Sequence, residues 1–195
     1  LSSLTVTGTI DARDFQVIRD SMTILKELDL SGATVVEFNG RLGTRYNETI
    51  IYPANTIPVS AFCVMMGSGT IFKNQLQTVL LPKSITAIGD SAFSFTGIKT
   101  LAIPSTVTDI GNYAFYSCTE LIDITLPQSL TTIGNTAFRD CDLIKEFIIP
   151  SSVKTIGDYA FSYNDSLEKF IMPNSVTSIG SGVFATSVNL KSVVL

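Results

Sequence analysis

The sequence predicts an α/β solenoid: a right-handed stack of coils with one parallel sheet on its concave face and an α/β cap at the N-terminus. Three observations carry this expectation. Proline recurs at Pro82, Pro104, Pro127, Pro150 and Pro173, and glycine keeps the same spacing of 22 and then 23 residues at Gly89, Gly111, Gly134, Gly157 and Gly180. Phenylalanine stays in phase with both at Phe93, Phe115, Phe138, Phe161 and Phe184. A unit this short cannot bury its apolar face alone, so repeats of this period stack on one another and share a core. A single domain follows, divided into a cap at 1–24, a degenerate repeat with insertions at 25–75, and five regular repeats of 22–23 residues with a partial sixth strand at 76–195.

The cap begins with a strand at Leu4 to Thr7, whose alternation Thr7-Gly8 is expected to close. Asp11 then stands as a helix N-cap with Asp14 three residues on, and Phe15, Ile18 and Met22 make one apolar face while Arg13, Arg19 and Asp20 point elsewhere. Such a helix suits the end of a stack, which otherwise exposes its first apolar layer and an unpaired strand edge.

Leu25 to Leu30 has the L-x-x-L-x-L spacing of a repeat strand, but its return half is delayed until Ile57-Pro58-Val59-Ser60-Ala61-Phe62, which matches the later I-G-x-x-A-F. Residues 33–56 and 63–75 are therefore expected to be insertions. The first carries Arg41, Arg45, Tyr46 and Tyr52, and the second Met65 and Met66. Excursions from a regular scaffold often bind, so Arg45, Tyr46 and Tyr52 are candidate contacts, although an elaboration of the cap is the plainer alternative.

From Leu76 each coil opens with L/I-x-x-h-x-h-P, where h is apolar, and the proline ends the strand by removing a backbone donor. The glycine marks a point of positive φ or of close approach to the next coil. Asp90, Asn112, Asn135, Asp158 and Ser181 follow it, all good N-cap types, so a short helical turn is expected there, delivering the Ala-Phe pair inward. Stacked strands lie about 4.8 Å apart, which should bring the phenylalanines into a ladder. Leu190 to Leu195 reads as a strand without its return half, and an apolar end of this kind implies a continuing chain or a cover.

Composition narrows the function. The chain has 195 residues, 45% hydrophobic and 15% charged, with a net charge of −4. Its basic residues form no stripe, which disfavours nucleic acid. No apolar run approaches the ~18 residues that cross a bilayer, and no signal peptide is visible. Histidine is absent, removing the commonest general base and the usual partner of a serine or cysteine nucleophile, so no catalytic residue is assigned. Asp140 and Asp142 suit a solvated turn better than acid–base work. The column from Asp90 to Ser181 holds too few carboxylates for calcium, so no metal or cofactor is expected. Cys118 and Cys141 occupy equivalent slots of adjacent coils. Buried thiols are the simpler account, with Thr96, Asn164 and Ser187 filling the same slot, while a disulfide would need Cα atoms within about 7 Å.

The pattern L-x-x-I-x-L-P-x-S-V-T-x-I-G-x-x-A-F-x-x-C resembles the BspA-type leucine-rich repeat of bacterial surface proteins, and T-V-T-G-T-I-D-A-R-D-F with L-K-E-L-D-L-S-G resembles the N-terminal cap of such proteins in Bacteroides-type bacteria. The resemblance implies export to the cell surface or beyond, and adhesion or protein binding. On the strands the x positions point away from the core, which makes Lys99, Thr100, Asp123, Thr125, Lys145, Glu146, Ile148, Glu168, Lys169 and Ile171 the candidate ligand-binding residues, with an apolar row through Ile148, Ile171 and Val194. The function expected is a noncatalytic binding module for a protein or glycan. A spacer displaying further domains is the alternative, and a polysaccharide-acting enzyme ranks last because the rows lack arginine.

Overall fold

A computed structural model describes residues 1–41, 43–45, 49–63 and 75–194. The chain forms a β-solenoid of about eight turns in which parallel strands stack coil upon coil. Its strands and helix run β1 (Ser3–Ile10), α1 (Ala12–Ser21), β2 (Glu27–Val35), β3 (Phe38–Gly40), β4 (Ile50–Tyr52), β5 (Thr56–Ile57) and β6 (Thr78–Leu80). Each later coil then contributes a two-residue and a three-residue strand: β7 (Ala87–Ile88) and β8 (Thr100–Ala102), β9 (Asp109–Ile110) and β10 (Asp123–Thr125), β11 (Thr132–Ile133) and β12 (Glu146–Ile148), β13 (Thr155–Ile156) and β14 (Lys169–Ile171), β15 (Ser178–Ile179) and β16 (Ser192–Val194).

Two walls of parallel strands result. The three-residue strands, led by the longer β1 and β2, pair in the groups β1-β2-β6, β8-β10 and β12-β14-β16. The two-residue strands form one uninterrupted sheet, β5-β7-β9-β11-β13-β15, with Ile57, Ile88, Ile110, Ile133, Ile156 and Ile179 in register. This second wall corrects the expectation of a single sheet. Its strands are too short to show a period of two, so the S/T-h-T/K-x-I-G stretch does not announce them.

The expected helical turns do not form. Ser91, Tyr113, Thr136, Tyr159 and Gly182 take left-handed φ between 54° and 61°, which ends a right-handed helix before it starts. Backbone donors instead alternate. Ser91, Phe93 and Phe95 donate to Asn112, Ala114 and Tyr116 of the next coil at 2.8 Å, while Ala92, Ser94 and Thr96 donate three residues back at 3.1–3.2 Å. The Asx residues cap nothing in their own coil. Asp90 accepts from Asn112 N at 2.8 Å, Asn112 from Asn135 N at 2.8 Å, Asn135 from Asp158 N at 2.8 Å and Asp158 from Ser181 N at 2.6 Å, a side-chain ladder tying coil to coil. Close approach explains the glycines. A Cβ at Gly134 would lie 2.6 Å from the backbone N of Asn112, and at Gly157 2.5 Å from that of Asn135.

The core is aromatic along its length. Phe62, Phe93, Phe115, Phe138 and Phe161 stack at centroid spacings of 5.0, 5.3, 5.0 and 5.4 Å. Phe15 of α1 extends the column at one end, 5.7 Å from Phe62, and Phe184 joins it through Phe170 at 4.7 Å. Burying each such ring contributes about 1.5–3 kcal/mol, so the column is a main source of cohesion between coils. The slot three residues beyond Phe93, Phe115, Phe138, Phe161 and Phe184 is filled by buried Thr96, Cys118, Cys141, Asn164 and Ser187. Cys118 and Cys141 point their thiols at Phe93 O and Phe115 O (3.1 and 3.2 Å), and Asn164 and Ser187 donate to Phe138 O (2.9 Å) and Phe161 O (3.1 Å) in the same manner. Both cysteines are free and buried.

Three further expectations at the N-terminal end change. β1 does not close at Thr7-Gly8: it runs on to Ile10, because a register shift between Thr5 and Thr7, followed by Gly8 at φ 84°, lets it pair with β2 through Ile10↔Val35. β2 consequently reaches Val35, inside the stretch expected to be insertion. The Asp11–Asp14 capping box is present, and Phe15 and Ile18 are buried. Arg19, however, turns inward at 4% exposure: its guanidinium donates to Thr44 O at 2.5 Å and Ser60 O at 2.9 Å and pairs with Asp20 at 2.6 Å. A buried guanidinium is tolerated where carboxylate and carbonyl oxygens meet its fork, and this one fastens α1 to the insertion and the first coil.

Candidate functional site

The outer face of the three-residue strands brings the predicted residues together. The middle residue is buried at Val79, Leu101, Phe147 and Phe170 and half-buried at Ile124, so the first and third residues of these strands face outward, while in the last strand Val193 is exposed as well. Thr100 pairs with Asp123 and Ala102 with Thr125, with Lys99 alongside, and these form one half of the site. Glu146, Lys169 and Ser192 form the next row, and Ile148, Ile171 and Val194 the row beside it, all in register. Ile148 is 62% exposed.

The charges on this face are matched across coils. Lys169 Nζ lies 2.6 Å from Glu146 Oε1, and Lys191 Nζ lies 2.8 Å from Glu168 Oε2. The Lys191 ammonium, hydrogen-bonded to Glu168, holds that carboxyl below its usual range, with Lys145 acting in the same direction. Pairs this exposed add little to stability. Their effect is to border the Ile148, Ile171 and Val194 row on one side with alternating charge.

The insertion is anchored rather than free-standing. β3 and β4 pair antiparallel with Phe38 opposite Tyr52, their rings 6.1 Å apart, and Arg13 lies 4.7 Å from the Phe38 ring centroid. Tyr52 is only 2% exposed and its hydroxyl accepts from Arg45 N at 3.0 Å, so it supports the insertion from within and is not a surface contact. Gln16 Oε1 accepts from Gly43 N at 3.0 Å, and Thr44 Oγ1 bonds Val59 O. Arg45 is exposed; Tyr46, Met65 and Met66 lie outside the described residues.

Two of the three thiols are held in their protonated form. Burial pushes the Cys63 thiol up to about 11 and the Cys141 thiol well above its ordinary value, so neither supplies a thiolate at neutral pH. Asp142 is raised as well, by burial first and by Asp140 and Asp165 beside it, and Asp140 accepts from Ser117 Oγ at 2.5 Å. These carboxylates are half-buried, not the solvated pair expected, because their turn packs against its neighbours. Among the described residues no group of three or more His, Cys, Asp or Glu could hold a metal ion, and no helix is long and apolar enough to cross a membrane.

Sequence reasoning passed over one group altogether. Phe95, Tyr113, Tyr116, Tyr159 and Tyr163 stand on the turns that flank the Ala-Phe pairs, and the available signal was that four of the six tyrosines fall at three positions of that corner.

A repeating parallel wall with a regular outer surface defines the class: a leucine-rich repeat solenoid. The family model for the BspA type leucine rich repeat region (6 copies) matches residues 86–195, and the chain belongs to that family. Among solved structures it is similar to a leucine-rich repeat protein of T. pallidum, at 23% identity and a TM-score of 0.70 over 97% of this chain and 78% of that one. It is also similar to a leucine-rich repeat protein of Bacteroides ovatus (20%, TM-score 0.54, 98% and 62%) and to the pneumococcal vaccine antigen PcpA (20%, TM-score 0.52, 98% and 45%). The chain thus spans less than two thirds of the latter two. A search of the curated proteins found no match.

Proposed function

We propose that this chain is a noncatalytic binding module of a secreted or surface-attached protein, taking a macromolecular ligand on the outer face of its three-residue strands. The observation that carries this is the row of exposed Ile148, half-buried Ile171 and exposed Val194, set beside the Glu146–Lys169 and Glu168–Lys191 pairs. An apolar strip with a charged rim is the composition of a protein interface, where the strip supplies affinity and the rim supplies register. The BspA-type repeat and the likeness to a vaccine antigen support a surface location. Lys99, Thr100, Asp123 and Thr125 would extend the same face toward the N-terminal coils.

The test is to screen the purified chain against immobilised extracellular-matrix proteins and glycans, then repeat it with Ile148→Ala, Ile171→Ala and Lys145→Ala. Loss of about tenfold or more in affinity for a captured ligand, with an unchanged melting curve, supports the assignment. Ligand capture indifferent to all three changes places binding elsewhere, and no capture at all favours a spacer that displays other domains.

A further inference from the structure

A second surface lies on the corner formed by the turns that flank each Ala-Phe pair, away from the strand faces. Phe95 and Tyr116 meet edge to face at 5.0 Å, and Tyr113 meets Tyr116 the same way at 6.0 Å. The Arg139 guanidinium lies 6.0 Å from the Tyr116 ring and 4.4 Å from the Tyr163 ring. Phe95, Tyr116, Arg139 and Tyr163 stand on four successive coils, so at roughly 4.8 Å per coil the strip is about 14 Å long.

The fold does not need aromatic residues here. Phe95, Tyr113, Tyr159 and Tyr163 all have left-handed φ, between 54° and 59°. That conformation costs a bulky side chain about 1 kcal/mol or more. Other coils fill the same two turn positions with Thr136 or Gly182, and with Ser117 or Asp140. Burial offers little return, because Tyr113, Tyr159 and Tyr163 remain 46%, 45% and 43% exposed. Among the described residues, the hydroxyls of the four tyrosines on this corner make no hydrogen bond.

We infer that this strip is a docking site for a proline-rich segment in the polyproline II conformation. Tyr113 and Tyr159 hold the same turn position two coils apart, which is roughly 9.6 Å. A polyproline II helix repeats every three residues at about 3.1 Å each, or ~9.3 Å, so residues one turn apart along such a ligand meet equivalent tyrosines. Its carbonyls have no internal partners, and the open phenol hydroxyls and Arg139 are the donors that would meet them. Flat aromatic surfaces hold such segments because the ligand is already extended and loses little entropy on binding. Arg139 adds a preference for a carboxylate beside the prolines.

The chain contains no tryptophan, and four of its six tyrosines lie on this corner, so tyrosine emission reports on the strip directly. The probe is a peptide of about ten prolines ending in glutamate, titrated against a glycine-serine peptide of equal length and an oligosaccharide as controls. Saturable quenching by the proline peptide alone is expected. Tyr159→Gly and Tyr163→Asp copy the residues that Gly182 and Asp140 place in the same turn positions. Each should weaken binding about tenfold while the melting temperature holds or rises, and Ile148→Ala should leave it unchanged. Absence of saturation at millimolar peptide, an equal response to the glycine-serine peptide, a response to the oligosaccharide instead, or indifference to both tyrosine changes would overturn the assignment.

Discussion

Phe115 and Phe138, 23 residues apart in sequence, stack with their ring centroids 5.0 Å apart and 4° between their planes. The spacing is that of adjacent strands, so the rings advance in step with the backbone hydrogen bonds and each coil is held to the next by both. Phe138 also touches Phe147 at 5.3 Å and Phe161 at 5.4 Å, whereas Phe184 is half-buried and, among the described residues, reaches the column through Phe170.

Removing a ring should therefore cost more in the middle than at the end. Phe138→Ala is expected to lose about 3–5 kcal/mol, the range for a buried aromatic that leaves a cavity, and Phe184→Ala clearly less. Urea melts of the two variants measure the difference. Equal losses would mean that the coils do not share one continuous core.

The glycines sort by cause. A Cβ at Gly134 would meet backbone atoms of Asn112 and Gly111 at 2.6 Å, and backbone cannot rotate away as a side chain can. Gly134→Ala should force the coils apart and cost about 1–3 kcal/mol or more. Gly8→Ala meets nothing within 4 Å and bears only the conformational cost of φ 84°, about 1 kcal/mol. Thermal melts in which Gly8→Ala is the worse of the two would contradict this assignment of close approach.

Asp142 gives stability a pH dependence of defined sign. Burial raises its folded-state pKa above the ordinary 3.8, so the folded chain holds the proton more tightly than the unfolded one. This group's contribution is then fully present below pH 3.8 and is lost as the pH rises through the raised value. Asp142→Asn keeps an acceptor for Asp165 N and removes the charge, so it should stabilise the protein at pH 7, with the gain disappearing in strong acid. Urea midpoints across that range decide the matter, and a gain that persists at pH 2 would mean the charge is not its source.

The residues that fixed the architecture were legible because they are constrained by stacking. Pro104, Gly111 and Phe115 each do a job that recurs in every coil, so the job appears as a period in the sequence. The strand faces were legible for the same reason, since Ile148 and Ile171 stand one coil apart, each next in sequence to a buried phenylalanine, Phe147 and Phe170. Tyr52 was misplaced because an aromatic in an insertion carries no period to say which way it points. Arg19 was misplaced because its partners, Thr44 O and Ser60 O, lie 25 and 41 residues away.

By itself the sequence determined the coil length, the inward column of phenylalanines and the membership of the repeat, since each follows from local chemistry repeated at one interval. Tertiary structure decided the rest: the second sheet of two-residue strands, the left-handed turn in place of a helix, and the side-chain ladder from Asp90 to Ser181. Those features depend on what the neighbouring coil offers to a backbone N–H. No single coil carries that information, because a donor's partner is chosen only once the coils are brought together.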